Sequence, residues 1–546
     1  MSPIRLAGAF VISAALASAA ASTVVLVQSQ ARPAVGFDIT VPASAHAAPI
    51  TGRVYVMITR DGQSEPRLQL NQRDGIPFFG RDVEKLAPGS AARIDTSDLG
   101  FPVDRLGDIP PGEYFVQAFV NIYSEFKRAD GHTVWMHDDQ WEGQQWHRAP
   151  GNLYSKPQRI RLDSTVGYRI ALTADRVIPP VTIPPDTEWV KRFRFQSPML
   201  SKFWGRPVFL GATVLLPKGY QSSTVSYPVH YVQGHFGLGA PLGFREGTAL
   251  YDAWMANDFP RMVVVTFQHP NPYYDDSYAV NSVNVGPYGD ALMRELIPEV
   301  ERRFRVIREP YARVLSGGST GGWESLALQL FHPDFFGGTW SACPDPVTFA
   351  GYEGVDIYAD GNAFYKQHEW YRVPTPNMRD TFGEPQLTVQ QKVQFELVNG
   401  TRGRSGRQFD IWSAVFGPLG PDGFFRPLID PRTGAIDKEV AAYWRENYDL
   451  LYVMQKNWAT LGPKIAGKIH IYTGDMDTYQ LDKGVVLMDQ WMKTTSNPHD
   501  EGFFLYGDRK PHCWAGPETQ AERLGQMAAH IMAHRPEGAT TPWWTY

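Results

Sequence analysis

Arg313-Val314-Leu315-Ser316-Gly317-Gly318-Ser319-Thr320-Gly321-Gly322-Trp323 joins an apolar run, Ala312 to Leu315, to a stretch of helical character that continues to about His332. A strand that passes into a helix through Gly-x-Ser-x-Gly must bend within a few residues. The bend forces an unusual backbone on Ser319, and the glycines two positions to either side let strand and helix approach each other. The hydroxyl is thereby presented at the carboxyl edge of a sheet, beside a helix N-terminus whose N–H groups favour developing negative charge. Five residues alone are a weak signal, because a Gly-rich turn without chemistry would look the same. The apolar run before and the helical pattern after make Ser319 the candidate nucleophile.

A serine hydroxyl attacks poorly at neutral pH, so a base and an acid that orients the base are required. Behind such a turn the order is Ser, acid, His, each just past a later strand. The strand-like run Ile469 to Tyr472 ends in Gly474-Asp475-Met476-Asp477. Asp477 is the expected acid, since a carboxylate three residues after the glycine can point back across the strand ends; Asp475 is the second choice. Phe503 to Tyr506 leads into Gly507-Asp508-Arg509-Lys510-Pro511-His512, which makes His512 the expected base. His499 precedes that strand and belongs at the wrong end of the sheet. Two backbone donors are needed for an oxyanion. One is expected from Thr320, the other from His235 or Phe236 in the turn Gly234-His235-Phe236-Gly237. Trp323, Trp514 and Gly234 are candidates for lining the substrate pocket, although Trp323 would serve a helix core equally well.

Further out, apolar runs at Val208 to Leu216, Pro228 to Val232, Met262 to Phe267 and Gly338 to Ser341 alternate with helical patterns, of which Leu292, Leu296, Ile297, Val300 and Phe304 is the clearest. Such alternation predicts a mostly parallel sheet covered on both faces by helices. Before it, from Ile50 to about Val177, runs such as Val54 to Ile58 and Tyr114 to Tyr123 are rich in β-branched and aromatic residues and are bounded by Gly, Pro and Asp. They predict an all-β, sandwich-like domain over residues 49–178. Pro179, Pro180, Pro184 and Pro185 mark a stiff linker over 179–195. The α/β domain is then expected over 196–535, with a tail at 536–546. Its interruption at about 345–463, rich in aromatics, is too long for a loop and reads as a lid or an inserted subdomain.

A chain of 546 residues, 43% hydrophobic and 20% charged, accommodates two or three folded units and is not disordered. A formal net charge of −5 gives no electrostatic reason to expect nucleic acid. At the N-terminus, Arg5 precedes the uncharged run Leu6 to Val27, and Ala45-His46-Ala47 has the form read by a signal peptidase. Residues 1–48 are therefore expected to be a cleaved export signal and unstructured spacer, with a cut near Ala19 or an uncleaved anchor as alternatives. The folded part is placed outside the cytoplasm, periplasmic or extracellular, with no other membrane association. Only Cys343 and Cys513 occur, so neither a disulfide framework nor a cysteine metal cluster is expected; one bridge between them and two separate thiols are both open. The acidic stretch His137-Asp138-Asp139-Gln140-Trp141-Glu142, with His147, lacks metal-ligand spacing and reads as a polar loop facing the next domain.

Residues from about 195 to 530 resemble the bacterial putative-esterase family of α/β-hydrolases. The family contains feruloyl and acetyl esterases, enterochelin-type esterases, S-formylglutathione hydrolases and mycolyltransferases. The resemblance is carried by ordered blocks: Leu215-Leu216-Pro217-Lys218-Gly219-Tyr220, Tyr227-Pro228-Val229-His230-Tyr231, Glu295-Leu296-Ile297-Pro298-Glu299-Val300, Ser316 to Trp323, and His332-Pro333-Asp334-Phe335-Phe336-Gly337. It implies an α/β-hydrolase fold and a Ser319, Asp477, His512 triad that cleaves carboxylic esters without metal or cofactor, the substrate being a small-molecule or polysaccharide-linked ester. An acyltransferase using the same triad and a non-catalytic envelope binding protein are the rival readings. Gln233-Gly234 stands where His-Gly is usual, and Thr320 replaces a frequent Met. The N-terminal β region loosely resembles the domain that precedes some siderophore esterases.

Overall fold

Eight strands between residues 190 and 507 form one sheet in the computed structural model, which describes residues 33–143, 145–273 and 277–544. They are β1 (Val190–Gln196), β2 (Phe209–Leu215), β3 (Val229–Gln233), β4 (Val263–Gln268), β5 (Arg313–Gly318), β6 (Gly338–Ala342), β7 (Ile469–Gly474) and β8 (Phe503–Gly507). Their spatial order is β1-β2-β4-β3-β5-β6-β7-β8, antiparallel at the first two pairings and parallel thereafter. This is the α/β-hydrolase sheet. The central strands carry buried apolar runs because helices cover both faces: Val263, Val264 and Val265 are all buried. The register brings the strand ends level. Gln233 lies opposite Gly317, Gly318 opposite Ala342, and Gly474 opposite Gly507, so their carboxyl ends fall along one line.

Helix α1 (Thr320–Phe331) leaves that line and is buried from Thr320 to Leu330. A surface helix would carry a polar stripe. This one has none because the sheet covers one side and the segment between β6 and β7 covers the other, where Trp323 meets the Phe416 ring at 5.0 Å. That segment contains two short strand pairs and the helices α2 (Val389–Asn399), α3 (Gln408–Phe416), α4 (Lys438–Tyr448) and α5 (Leu450–Ile465).

Upstream of residue 180, strands build a three-stranded and a seven-stranded sheet. Phe37, Ile39 and Leu172 of the first share a core with Val54, Val56, Val116 and Val120 of the second. Strand Ile50–Thr59 is buried at nearly every residue, not at alternate ones. Its second face meets the insertion: Tyr55, Met57, Phe78 and Phe101 pack on Phe395 and Val398 of α2. Burying a phenylalanine in this way contributes roughly 2–3 kcal/mol. Arg53 adds a hydrogen bond of 3.1 Å to the Val398 carbonyl, and Gln394 one of 2.8 Å to the Gly100 carbonyl. The insertion is therefore clamped between two sheets.

Three expected boundaries are corrected. Val35–Thr40 lies inside the expected spacer but forms the middle strand of the three-stranded sheet, because Val35, Phe37 and Ile39 alternate with residues that face away from its core. Val190–Gln196 lies partly in the expected linker yet is β1; its alternation of aromatic and basic residues suits an edge strand. Trp543, in the expected tail, is fully buried and its carbonyl accepts the Arg261 N–H at 3.1 Å. The expected signal sequence, Leu6 to Val27, lies outside the described residues.

Candidate active site

Ser319 sits between β5 and α1 at φ 57°, ψ −121°, a conformation that costs a non-glycine residue about 1–3 kcal/mol. The glycines beside it are there for space. A Cβ on Gly317 would lie 2.2 Å from the Gly321 carbonyl oxygen, and one on Gly321 would lie 2.1 Å from that of Gln233. Held in this way, the Ser319 hydroxyl stands 2.8 Å from His512 Nε2, and His512 Nδ1 stands 2.7 Å from Asp477 Oδ2. Asp477 is fully buried, and its other oxygen accepts the N–H groups of Tyr479 (2.9 Å) and Leu481 (3.3 Å). Asp475 takes no part: its carboxylate accepts the Arg509 N–H at 2.7 Å. His499 bonds the Thr495 carbonyl and lies away from the other three.

Burial disfavours a charged His512, but the hydrogen bond to Asp477, and after it that to Cys513, outweighs burial and holds the imidazole above its ordinary value. The Asp477 carboxylate thus stabilises the imidazolium that forms whenever His512 accepts a proton. Cys343 and Cys513 are unbonded, and their sulfurs lie with a His512 ring nitrogen within 4.8 Å of one another. Cys513 is held down at about 5 by the hydrogen bond from Cys343, against burial and with help from His512. Burial pushes the Cys343 thiol well up. These three side chains could hold a thiophilic metal ion together, but His512 would first have to give up its bond to Asp477 or Ser319.

A cavity of about 470 Å³ opens over Ser319. His235 and His512 line it together with Asp345, Glu353, Lys392, Arg407, Gln408 and Tyr479, and with Leu70, Asn71 and Gln72 from the connection that precedes strand Phe78–Leu86. Lys392 Nζ holds Glu353 at 2.8 and 3.0 Å, both side chains being buried. Gly234 lies behind the nucleophile turn, within van der Waals reach of Gly321. The Phe236 ring turns toward Trp141 and His269.

Two expected pocket residues are corrected. Trp323 is fully buried, packs on Tyr278 and Phe416, and is not part of the cavity lining. Trp514 lies against Gly507, outside the cavity lining. Of the residues that do line it, Ser319, His235 and His512 were read from the sequence and most others were not, Asp345 foremost. A polar residue just past the end of β6 could have flagged it, since that strand ends on the same line as β5. Nothing local could have flagged Leu70 or Asn71. In the acidic stretch, His137 is paired with Glu142, and Asp138 bonds Arg206 at 2.6 Å, so the loop faces the α/β sheet.

Residues 210–401 match the model of the family described as "Putative esterase". The match includes Ser319 and stops before Asp477 and His512. Over 135 residues the chain is 27% identical to the uncharacterized protein YbbA of Bacillus subtilis (strain 168), covering 23% of this chain and 52% of that protein. The chain thus spans about half the length of this curated relative. Among solved structures, a ferulic acid esterase is similar at 15% identity and a TM-score of 0.35, over 65% of this chain and 99% of its own. An S-formylglutathione hydrolase from Agrobacterium tumefaciens is similar at 13% and 0.31, over 64% and 97%. Scores of this size carry no argument about activity. The family match agrees with the resemblance drawn from the sequence and supports a carboxylic ester hydrolase.

Proposed function

We propose that this chain is an exported serine hydrolase that cleaves carboxylic esters through an acyl-enzyme on Ser319. The observation that carries the proposal is the unbroken chain Ser319 Oγ, His512, Asp477 at 2.8 and 2.7 Å. His512 accepts the Ser319 proton as the oxygen attacks the ester carbonyl, and the resulting imidazolium is held by Asp477. The oxyanion is taken by the Thr320 N–H and by an amide of the His235–Phe236 turn. Collapse expels the alcohol, which takes the proton from His512. A water then repeats the sequence, delivering the acid and restoring Ser319. No step needs a metal or cofactor.

The insertion between β6 and β7 acts in this scheme as a fixed roof that selects the ester, small or polysaccharide-linked, and the N-terminal region completes one wall. Export rests on the run Leu6 to Val27. Cleavage then falls upstream of Val35, because a cut after Ala47 would remove the middle strand of a sheet.

The test is Ser319→Ala against p-nitrophenyl esters, with fluorophosphonate labelling of both proteins. Turnover should fall by about 10⁴-fold or more with the fold unchanged, and only the parent should label. Retained turnover, or a parent that does not label, overturns the proposal.

A further inference from the structure

Asp345 is a second buried carboxylate at the nucleophile, and the triad does not use it. Its backbone N–H donates to the Ser319 carbonyl at 3.2 Å, which fixes it to the turn, and it is only 2% exposed. Its two oxygens have different surroundings. Oδ2 accepts the Tyr278 O–H at 2.6 Å and the Thr320 O–H at 3.0 Å; the Gln408 and Trp412 side-chain N–H groups donate first to the Tyr278 oxygen and stand 3.3 Å from Oδ2. Oδ1 stands 3.3 Å from Ser319 Oγ, and the residue is part of the cavity lining. Ser319 has one proton. In the reactive arrangement it goes to His512, and Oδ1 is then left as an acceptor facing the place where the scissile carbonyl must sit. A buried carboxylate oxygen in that position calls for a donor from the ligand.

We propose that Asp345 is a specificity residue that selects esters carrying a hydrogen-bond donor, hydroxyl or ammonium, on the acyl carbon next to the scissile carbonyl. The donor replaces the Ser319 hydroxyl on Oδ1, and a carboxylate at the same place on the substrate is repelled. The inference rests on the esterase reading and adds the class of ester to it.

The substitution Asp345→Asn gives a sharp test, because the Tyr278 hydroxyl already accepts the Gln408 and Trp412 N–H groups, must donate to Oδ2, and so holds the amide oxygen inward. The amide NH₂ must then take the place of Oδ1, which turns the acceptor into a donor. The measurement is kcat/KM by pH-stat for ethyl propionate, ethyl lactate and ethyl alaninate. A charge-assisted hydrogen bond predicts that the parent favours lactate or alaninate over propionate by roughly ten- to hundredfold more than Asp345→Asn does. Preference for lactate alone identifies a hydroxyl ligand, and preference for alaninate alone an ammonium; either supports the proposal. Equal ratios in the two proteins overturn it. Should the variant fail to fold, the parent alone decides: lactamide must inhibit at least about tenfold more tightly than propionamide, and equal inhibition overturns the proposal. A parent that hydrolyses no ester in the panel and does not label with fluorophosphonate overturns the esterase reading itself, whereas labelling without preference overturns only this inference.

Discussion

The cavity over Ser319 has one side made by strand ends and another made by the insertion and the N-terminal region, and the two are stabilised differently. On the strand side, Ser319, Asp477 and His512 hang from β5, β7 and β8, whose register is set by backbone hydrogen bonds and by glycines that admit no side chain. On the wall side, Lys392 and Glu353 are positioned by their ion pair and by α2 packed on a foreign sheet. In the proposed scheme, chemistry falls on the part held by backbone register, and selection falls on the part that can be rebuilt without moving the sheet.

If that division is right, triad variants should lose rate and keep the fold. Asp477→Asn is the clearest case. The Tyr479 and Leu481 N–H groups hold one oxygen of the side chain, so the amide NH₂ must face His512 Nδ1. The imidazole is driven to the tautomer with its proton on Nε2, where it cannot accept one from Ser319. Ester turnover should fall by about 10³–10⁴-fold, as in serine-protease triads, with an unchanged urea midpoint. A loss below tenfold would break the comparison on the strand side.

Wall variants should do the reverse. Lys392→Met leaves the Glu353 carboxylate buried without its cation, which costs about 3–5 kcal/mol in global stability. The double variant Lys392→Met, Glu353→Met should recover most of that loss. Urea unfolding measures both, and a single variant as stable as the parent would show that the wall does not depend on its ion pair.

How far the sequence could be read obeys the same division. Ser319, Asp477 and His512 were legible because each lies within a few residues of the strand that carries it, so a local pattern and a chain order suffice. The strands that carry them were legible to within three residues for the same reason. Val190–Gln196 was missed because an edge strand with alternating basic residues lacks the continuous apolar run of its neighbours. Val35–Thr40 was missed because an Ala- and Pro-rich setting concealed six residues whose partners lie at 91–95 and 168–173. Trp323 was misplaced because an aromatic near a nucleophile suits a pocket and a core equally. Asn71 and Lys392 meet at the cavity across more than three hundred residues, and no periodicity encodes that meeting.

The two sides also titrate in opposite directions, which offers the finest test. His230 on β3, its Nε2 bonded to Ser316 at 2.6 Å, is pushed down to about 3 by burial. The unfolded chain binds its proton below about 6.5 and the folded chain does not, so this contribution is full above 6.5 and drains away as the pH falls toward 3. Glu396 on α2 is pushed up to about 8, by burial first and by Asp410 second. Here the folded chain keeps a proton that the unfolded chain gives up, so the contribution is full below about 4.5 and drains away as the pH rises toward 8. Between pH 5 and 7 each is worth about 2 kcal/mol, with opposite sign, and in the parent they largely cancel. His230→Gln should therefore make the protein lose stability from pH 5 to 7 relative to the parent, and Glu396→Gln should make it gain. Any fixed cost of either substitution drops out of that difference. Urea unfolding at the two pH values decides it: slopes that shift in the same direction would mean that sheet and insertion do not carry buried groups of opposite demand.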